Sequence, residues 1–177
     1  MSLSLHQASV PAFIATLTSM KHWLDKAAKQ KSEAELIDAR LAPDMAPLSR
    51  QFQIASDTAK GAIARLTGIE APAMADTEAS FAELKERCDK TIAYLESIDP
   101  AALDGAGERE VVMTFPNGGG MRMDGLTHLN GFALPNFYFH ATAAYAILRA
   151  QGVEIGKADF LGHLAPFMFA PPQPAEA

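Results

Sequence analysis

Apolar residues between Val10 and Ala27 recur at alternating steps of three and four residues. This spacing places them in one stripe along a helix, and it predicts a first long helix from about Val10 to Lys29. His22 and Trp23 lie near the end of the segment. We expect a surface histidine there, beside an aromatic residue at the boundary of the core.

A second amphipathic segment is bounded by residues that favour helix ends. Asp44 is expected to cap the helix, Pro47 is tolerated in its first turn, and Gly68 is expected to end it in the left-handed conformation. Pro72 then prevents the chain from resuming a helix at once. The inward positions of this second helix are predicted to be Leu48, Gln51, Phe52, Ala55, Ala59, Ala62 and Leu66.

The third helix is expected to begin after Asp76 or Thr77. It should stop at the Asp99-Pro100 step, because the residue before a proline disfavours helical backbone. Its inward positions are predicted to be Phe81, Leu84, Cys88, Ile92 and Leu95.

The pattern changes to alternating and β-branched residues at 109–115, and the segment 116–120 is Pro-Asn-Gly-Gly-Gly. Together with 121–124 this predicts a β-hairpin with a glycine-rich turn. No Gly-Lys-Ser/Thr follows the glycines, so a phosphate-binding loop is not indicated. Two strands alone are marginally stable in water, and the hairpin must therefore dock on the bundle or on another subunit.

The last long helix is predicted from about Leu126 to Ala150. Pro135 must kink or restart it, because proline has no N–H to donate to the preceding turn. The residues predicted to share its inner face are Ala133, Asn136, Phe137, His140, Ala144, Ile147 and Leu148. The chain after Gly162 is rich in proline, and we expect an extended arm that holds Pro166, Pro171, Pro172 and Pro174.

These elements predict a mainly all-α fold, an antiparallel four-helix bundle with a small β-hairpin inserted before the last long helix. We expect a single domain over residues 1–165, which includes the hairpin at about 109–124. Residues 166–177 are expected to form a proline-rich C-terminal tail.

Composition narrows the choice of partners. The chain is 49% hydrophobic and 20% charged, which is typical of a globular protein. Its net charge of -6 removes the long-range attraction to phosphate that nucleic-acid and anionic-membrane binders use. We therefore expect neither nucleic acid nor a membrane as a partner.

The cysteine content and the N-terminus both favour a cytoplasmic protein. Cys88 is the only cysteine, so no intramolecular disulfide can form. We expect it to be a small core residue rather than a reactive thiol. The N-terminal segment lacks the charge and the apolar run of a secretion signal. The longest apolar stretch, 132–148, is interrupted by polar residues and is too short to span a bilayer.

Three polar residues fall on apolar helix faces: Gln51 on the second helix, and Asn136 and His140 one turn apart on the last. Burying an amide or an imidazole without a partner costs a few kcal/mol, so each should bond to another of the three, a water, a ligand or a metal. Helices at these positions of a bundle can face each other across the core. The sequence therefore predicts that the three side chains meet.

Several segments carry a family resemblance. The chain resembles the DinB/YfiT-like superfamily of metalloenzymes in three segments. They are Leu-Ser-Arg-Gln at 48–51, Leu-Pro-Asn-Phe-Tyr-Phe-His at 134–140, and Ala-Tyr-Ala-Ile-Leu-Arg at 144–149 followed by Gly152. Within it the chain is most similar to a bacterial branch defined as a domain of unknown function. The resemblance extends from the first helix to Gly162.

The resemblance implies a three-histidine metal site. Members with an intact site are often dimers, some transfer low-molecular-weight thiols, and one histidine of the second helix joins a His-x-x-x-His pair of the last. Here Gln51 and Asn136 occupy two of these positions, and only His140 is retained. Amide oxygens are weaker ligands than imidazole for zinc or nickel.

Additional ligands could complete such a site. Met20, Met45, Asp44 and Asp57 are near enough in sequence to be considered, although its helical angle points Asp57 away from the core. His140 alone could act as a catalytic general base if Asn136 or a backbone carbonyl fixes its tautomer.

Three functional hypotheses follow. The first is a protein that binds a small molecule in a polar core pocket lined by Gln51, Asn136 and His140, where the metal site is degraded. The second is an enzyme that uses a weakly bound divalent metal such as nickel or zinc, for example a low-molecular-weight thiol transferase. The third is a non-catalytic homodimer with a structural or interaction role. A buried hydrogen-bond network that only fixes helix register is the structural alternative for the three residues.

Overall fold

The computed structural model describes residues 3–169, which contain four long helices, α1, α3, α4 and α6. Their bounds are Leu5–Ala28 for α1, Leu48–Thr67 for α3, Phe81–Glu96 for α4 and Leu134–Ala150 for α6. Short helices are α2 (Glu33–Leu36), α5 (Gly125–Thr127) and α7 (Lys157–Phe160), and the strands are β1 (Glu110–Thr114) and β2 (Gly120–Asp124). Turns of 3-10 helix cover Pro100–Leu103, Ala106–Glu108 and Gly162–Phe167, and a π-helical segment covers His128–Ala133. The predicted helical bundle with a hairpin before the last long helix is confirmed.

Two pairs of long helices run antiparallel. Lys21 and Asp25 of α1 form ion pairs with Asp89 and Lys85 of α4, so residue numbers rise along one helix as they fall along the other. Helices α3 and α6 are also antiparallel, and they pack together more extensively than any other two helices of the described chain.

Helices α3 and α4 run parallel, which the sequence did not indicate. Gln53 near the start of α3 donates to Glu78 just before α4, and Tyr94 near the end of α4 donates to the Ile69 carbonyl just after α3. The segment 69–80 must therefore return along the length of α3, about 30 Å. Its residues can span about 40 Å when extended, so the connection is long enough.

Helix α1 begins earlier than predicted because of a capping box. The Ser4 hydroxyl accepts from the Gln7 N–H, and the Gln7 side chain accepts from the Ser4 N–H. This reciprocal pair satisfies two N–H groups at the helix start. The apolar stripe that begins at Val10 therefore marks the buried part of the helix rather than its end.

Helix α3 is capped by a loop, so the prediction that Asp44 caps it is wrong. Pro47 is the N-cap residue, and it offers no side-chain hydrogen bond. The N–H groups of Leu48 and Ser49 instead donate to the Ala39 and Ile37 carbonyls, at 2.9 and 3.1 Å. All predicted inward positions of the helix are buried. Gly68 ends it in the left-handed conformation, with φ of 79°, as predicted.

Helix α4 begins at Phe81, later than Asp76 or Thr77. Ser80 caps it by accepting from the Glu83 N–H at 3.2 Å. The residues between are part of the return segment, in which Asp76 adopts a positive φ of 56°.

Pro135 lies in the first turn of α6, directly after the π-helical segment, and it restarts the helix as predicted. The Leu134 N–H donates to the Leu129 carbonyl five residues back, which is the π-helical pattern. The widened turn accommodates a proline that lacks the usual donor.

The hairpin docks on the bundle through one of its faces. Val111 is buried and Met113 packs against the core, whereas Val112 on the opposite face is exposed. The strands pair antiparallel, with Val111 opposite Met123 and Thr114 opposite Gly120. The bundle therefore supplies the support that two strands need. The predicted homodimer stays a prediction.

Trp23 is a core residue, and its predicted place at the core boundary is wrong. It is fully buried, its ring contacts Tyr145 and Phe160, and its Nε1 donates to the Asp159 carbonyl at 3.1 Å. Short helix α7 thus covers the end of α1. Cys88 is buried as predicted, and burial raises the pKa of its thiol to about 12, which keeps it protonated.

The first part of the predicted extended arm is helical. Gly162–Phe167 forms 3-10 helix with Pro166 inside it, and Gly162 and His163 line a cleft next to α1. Pro171, Pro172 and Pro174 lie outside the described residues. No helix among residues 3–169 is long and apolar enough to cross a membrane.

A buried arginine joins α4 to α3 and to the return segment. Only 1% of the Arg87 side chain is exposed, and its guanidinium lies 2.6 Å from Asp57 and 2.8 Å from both Asp76 and Glu78. Its NH2 also lies 3.4 Å from the Gln53 carbonyl. Only Nε among its nitrogens is buried without a partner. A buried cation with several anionic partners is held firmly, because losing either side leaves an uncompensated charge.

We expect Arg87→Met to lower the free energy of unfolding by about 3 kcal/mol, measured by urea denaturation, because it leaves three carboxylates without their shared partner. Lys85→Met is the matched control. It removes an ion pair whose side chains are 34% and 51% exposed, and the expected loss is under about 1 kcal/mol. Equal losses in the two variants would contradict the role of Arg87.

The same variant should change the response to acid. Burial raises the pKa values of Asp76 and Glu78. Hydrogen bonds and charge from Arg50 and Arg87 outweigh it at Asp76, and hydrogen bonds and charge from Arg87 with a bond from Gln53 outweigh it at Glu78, so both pKa values lie below the usual 3.8 and 4.5. Their contribution to stability is present at neutral pH and is lost as the pH falls through these lowered values. Urea denaturation at pH 7 and pH 3 should therefore show a smaller acid-induced loss in Arg87→Met than in the wild type.

Candidate functional site

Gln51 and His140 form a direct hydrogen bond between α3 and α6. The Gln51 Oε1 atom lies 2.7 Å from His140 Nδ1. The other end of the amide is fixed, because Gln51 Nε2 donates to the Ala46 carbonyl at 2.9 Å in the loop that precedes α3. Gln51 is only 1% exposed. The sequence prediction that these two residues come together therefore agrees with the geometry.

This bond determines the tautomer of His140. The Ala46 carbonyl can only accept, so Gln51 must direct its NH2 group there and its oxygen toward the imidazole. Nδ1 of His140 therefore carries the proton, and Nε2 of the neutral ring has a free lone pair. Nε2 makes no hydrogen bond within residues 3–169, and it is not one of their buried unpartnered atoms. It is thus open to solvent or to a ligand.

The neutral form of this imidazole is favoured. Burial lowers the pKa of His140 below its usual 6.5, and the positive charge of Arg50 lowers it further. At neutral pH the open Nε2 is a hydrogen-bond acceptor, or a base of moderate strength, rather than a cationic donor.

Asn136 does not join this pair. Its Nδ2 donates to the Thr58 hydroxyl at 2.8 Å, and that hydroxyl donates to the Ile54 carbonyl at 2.7 Å. Thr58 must therefore accept from Asn136, which orients the amide. The predicted group of three is divided into two separate bridges between α3 and α6, and Thr58 is the partner that sequence reasoning missed.

The second hypothesis from sequence, a weakly bound divalent metal at Gln51, Asn136 and His140, does not fit their arrangement. Two ligands held at 2.0–2.1 Å from a tetrahedral ion lie about 3.4 Å apart. The 2.7 Å between Gln51 Oε1 and His140 Nδ1 is instead a hydrogen-bond length. Asn136 is committed to Thr58. The geometry supplies one free imidazole nitrogen, where zinc or nickel needs about three protein ligands.

Neither of the two aspartates considered from sequence completes the site. Asp57 pairs with Arg87 and Lys60, and Asp44 is exposed and belongs to the loop before α3. Met20 is buried in the core and Met45 is half-buried. Among residues 3–169 no group of three or more histidine, cysteine, aspartate or glutamate side chains is placed to hold a metal ion.

The surroundings of His140 are aromatic and partly open. Asn136 and His140 are half-buried, at the edge of the core rather than at its centre. Phe139 is 58% exposed, and its ring lies edge-on to the imidazole with centroids 5.1 Å apart. Five surface clefts of 250–500 Å³ are lined by other residues. A ligand of His140 would thus meet an open face of the bundle.

A second histidine, which sequence reasoning missed, is fully buried. His128 begins the π-helical segment, its ring stacks on Phe132, and neither ring nitrogen has a partner. Burial and the charge of Arg65 both lower the pKa of His128, so the ring is neutral at pH 7. Nothing in the local sequence distinguishes it from a surface histidine.

Comparison with known proteins places this geometry in a family. The chain matches the profile of DUF1993, a domain of unknown function, over residues 5–161. It also resembles a solved structure, a DinB family member protein from Shewanella denitrificans. The two share 38% identity with a TM-score of 0.84, over 94% of this chain and 96% of that one. No functionally curated protein matches. The chain belongs to the DUF1993 family, and its helical bundle with a hairpin is that of a DinB family protein.

Proposed function

We propose that this protein binds an organic small molecule at His140, on the open face where α3 and α6 meet, without a transition metal. The observation that carries the proposal is the 2.7 Å bond from His140 Nδ1 to Gln51 Oε1. It holds the ring in one tautomer and directs the lone pair of Nε2 away from Gln51. A neutral, oriented imidazole accepts a hydrogen bond from a hydroxyl or thiol group.

Two neighbouring features support an organic ligand. The exposed ring of Phe139 offers an apolar contact beside the imidazole, and Tyr138 on the same turn is 37% exposed. Sites of this kind combine apolar surface with a few oriented polar groups. Burial and the charge of Arg50 both lower the pKa of His140, which favours the neutral imidazole. A ligand with a weakly acidic proton next to an apolar body therefore suits the site.

A metal-dependent reaction such as thiol transfer receives no support from this arrangement, because the ligands do not converge. His140 could still take a proton from a bound hydroxyl or thiol as a general base, since its Nε2 is free and neutral. This would be a catalytic role for His140 within the same binding proposal, and it needs no additional residue.

The tautomer is the first test. Nitrogen NMR of the histidine side chains should show His140 protonated at Nδ1 and not at Nε2 at pH 7.5. Gln51→Met keeps the length of the side chain but removes the acceptor, and we expect the usual Nε2–H tautomer to become dominant. The variant should also lose about 1 kcal/mol of stability. Asn136→Ala is the control: it should leave the His140 tautomer unchanged, because Asn136 bonds to Thr58. A shift in both variants would mean that the three residues act as one network.

Ligand binding is tested with phenol and anisole as matched probes. Phenol can donate to Nε2 and stack on Phe139, whereas its methyl ether cannot donate. Millimolar phenol should shift the His140 resonances in a saturable way, and anisole should not. The phenol shift should disappear as the pH falls below the pKa of His140, because protonated Nε2 can no longer accept. The Phe139 amide, which is present in both proteins, serves to compare the wild type with His140→Phe. Equal shifts of the His140 resonances with both probes, or the same phenol-induced shift of the Phe139 amide in His140→Phe, would refute the proposal.

The metal argument has its own test. Wild-type protein should take up less than one tenth of an equivalent of nickel or zinc at micromolar concentrations, because roughly three ligands are needed for tight binding. The double variant Gln51→His with Asn136→His restores three imidazoles, and we expect it to bind about one equivalent, measured by calorimetry and elemental analysis. Asn136→His alone is the matched control and should bind weakly. Stoichiometric, sub-micromolar binding by the wild type would contradict the non-metal site.

A further inference from the structure

A cleft of about 440 Å³ lies between α1 and the C-terminal segment, separate from His140. Ala15, Ser19 and His22 line it from α1, and Asp159, Gly162 and His163 line it from the other side. The lining residues, which also include Thr18, are therefore mostly polar, and Ala15 and Gly162 are the small residues among them. The proposed function of His140 uses none of these residues.

Asp159 is already occupied by donors. Its Oδ1 lies 2.9 Å from Lys26 Nζ and 3.5 Å from His22 Nε2, and its Oδ2 accepts from the Gly156 N–H at 2.7 Å. These contacts lower the pKa of Asp159 although burial raises it, so it is ionised at neutral pH. Its charge is balanced by Lys26 within the protein. The carboxylate therefore does not offer a free acceptor to a cationic ligand.

Ser19 has an unused hydroxyl at the cleft. Ser9, Thr58 and Thr67 each donate to the carbonyl four residues back, at 2.6 to 2.8 Å. Ser19 makes no such bond and has no partner within residues 3–169, although the residue is only 5% exposed. Ser19 Oγ is not among the buried unpartnered atoms of the described residues, so this hydroxyl is accessible to solvent and to a ligand. A Cβ atom at Gly162 would lie 4.0 Å from Ser19 Oγ, which places that hydroxyl against the cleft wall.

The free polar groups of the cleft include two that can act as donors. The Ser19 hydroxyl and the His163 ring can each donate a hydrogen bond, and Lys26 balances the single carboxylate that lines the cleft. Asp159 and Lys26 together carry no net charge, whereas the whole chain carries a net charge of -6. Donors without a protein acceptor favour a ligand that brings acceptors, and a carboxylate brings the strongest ones.

We propose that this cleft binds a small monocarboxylate with an apolar chain. The carboxylate accepts hydrogen bonds from the Ser19 hydroxyl and the His163 imidazole, and the apolar chain lies on Ala15 and Gly162. The cleft volume lies within the range of small-molecule sites, about 300–1,000 Å³.

Octanoate, octanol and octylammonium are the probes, titrated at pH 7 into the full-length protein and followed by amide NMR. Octanoate should bind at one site and shift the amides of Ser19 and Gly162. Octanol should bind about tenfold more weakly because it lacks the charge, and octylammonium should not bind there. Equal binding of all three would show a non-selective apolar surface and overturn the proposal, as would the absence of shifts with octanoate.

Variants identify the residues that hold the carboxylate. Ser19→Ala combined with His163→Gln should weaken octanoate binding about tenfold, because two hydrogen bonds to a charged group are lost. His6→Gln, on α1 but outside this cleft, is the matched control and should bind like the wild type. Unchanged affinity in the double variant would overturn the assignment. His140→Phe should retain octanoate binding, which separates this site from the proposed function.

Discussion

The close packing of α3 against α6 is the constraint on which the candidate site depends. One stripe of α3 carries polar residues and alanines in turn at helical spacing: Gln51, Ala55, Thr58 and Ala62. The two alanines project little from the helix. The short alanine side chains allow the backbones to approach, and both polar bridges span the interface at 2.7 and 2.8 Å. A wider separation would break both bridges, at a cost of about 1 kcal/mol each. The same packing that stabilises the bundle therefore orients His140.

Arg87 stabilises the parallel arrangement of α3 and α4, which the sequence did not indicate, because it joins α4 to α3 and to the return segment. Parallel neighbours need a long connection, and the return segment 69–80 is anchored where Asp76 and Glu78 reach the guanidinium. Arg50 binds Asp76 as well, and its charge adds to burial in lowering the pKa of His140. The electrostatic network of α3, α4 and the return segment is thus linked to the protonation state at the α6 face. Salt would weaken the exposed part of this network more than the buried part.

Hydrophobic periodicity was sufficient to predict the four long helices, the hairpin and the inner face of α3, because burial repeats with the helical period. It did not predict where helices begin, since those positions depend on single hydrogen bonds: the Ser4–Gln7 capping box, the loop carbonyls that cap α3, and the Ser80 hydroxyl. The partners of the polar residues were only partly predictable. That Gln51 meets His140 follows from two facing helices. The pairing of Asn136 with Thr58 depends on the register between them, which sequence spacing does not determine.

His128 shows how the π-helical segment and the site are related. Leu129, Ala133, Phe137 and Ala141 are all buried and follow one another at steps of four residues. Such a run drifts around a regular α-helix by about 40° per step, and a wider π turn absorbs part of this drift. The π-helical segment therefore joins α5 to α6 while the apolar residues of the segment and of α6 both stay directed toward the core. Helix α6 still presents Asn136 and His140 to α3. The accompanying cost is an imidazole buried without hydrogen bonds, about 1–3 kcal/mol. A neutral ring stacked on Phe132 limits that cost, because a protonated one would also have to be desolvated next to the charge of Arg65.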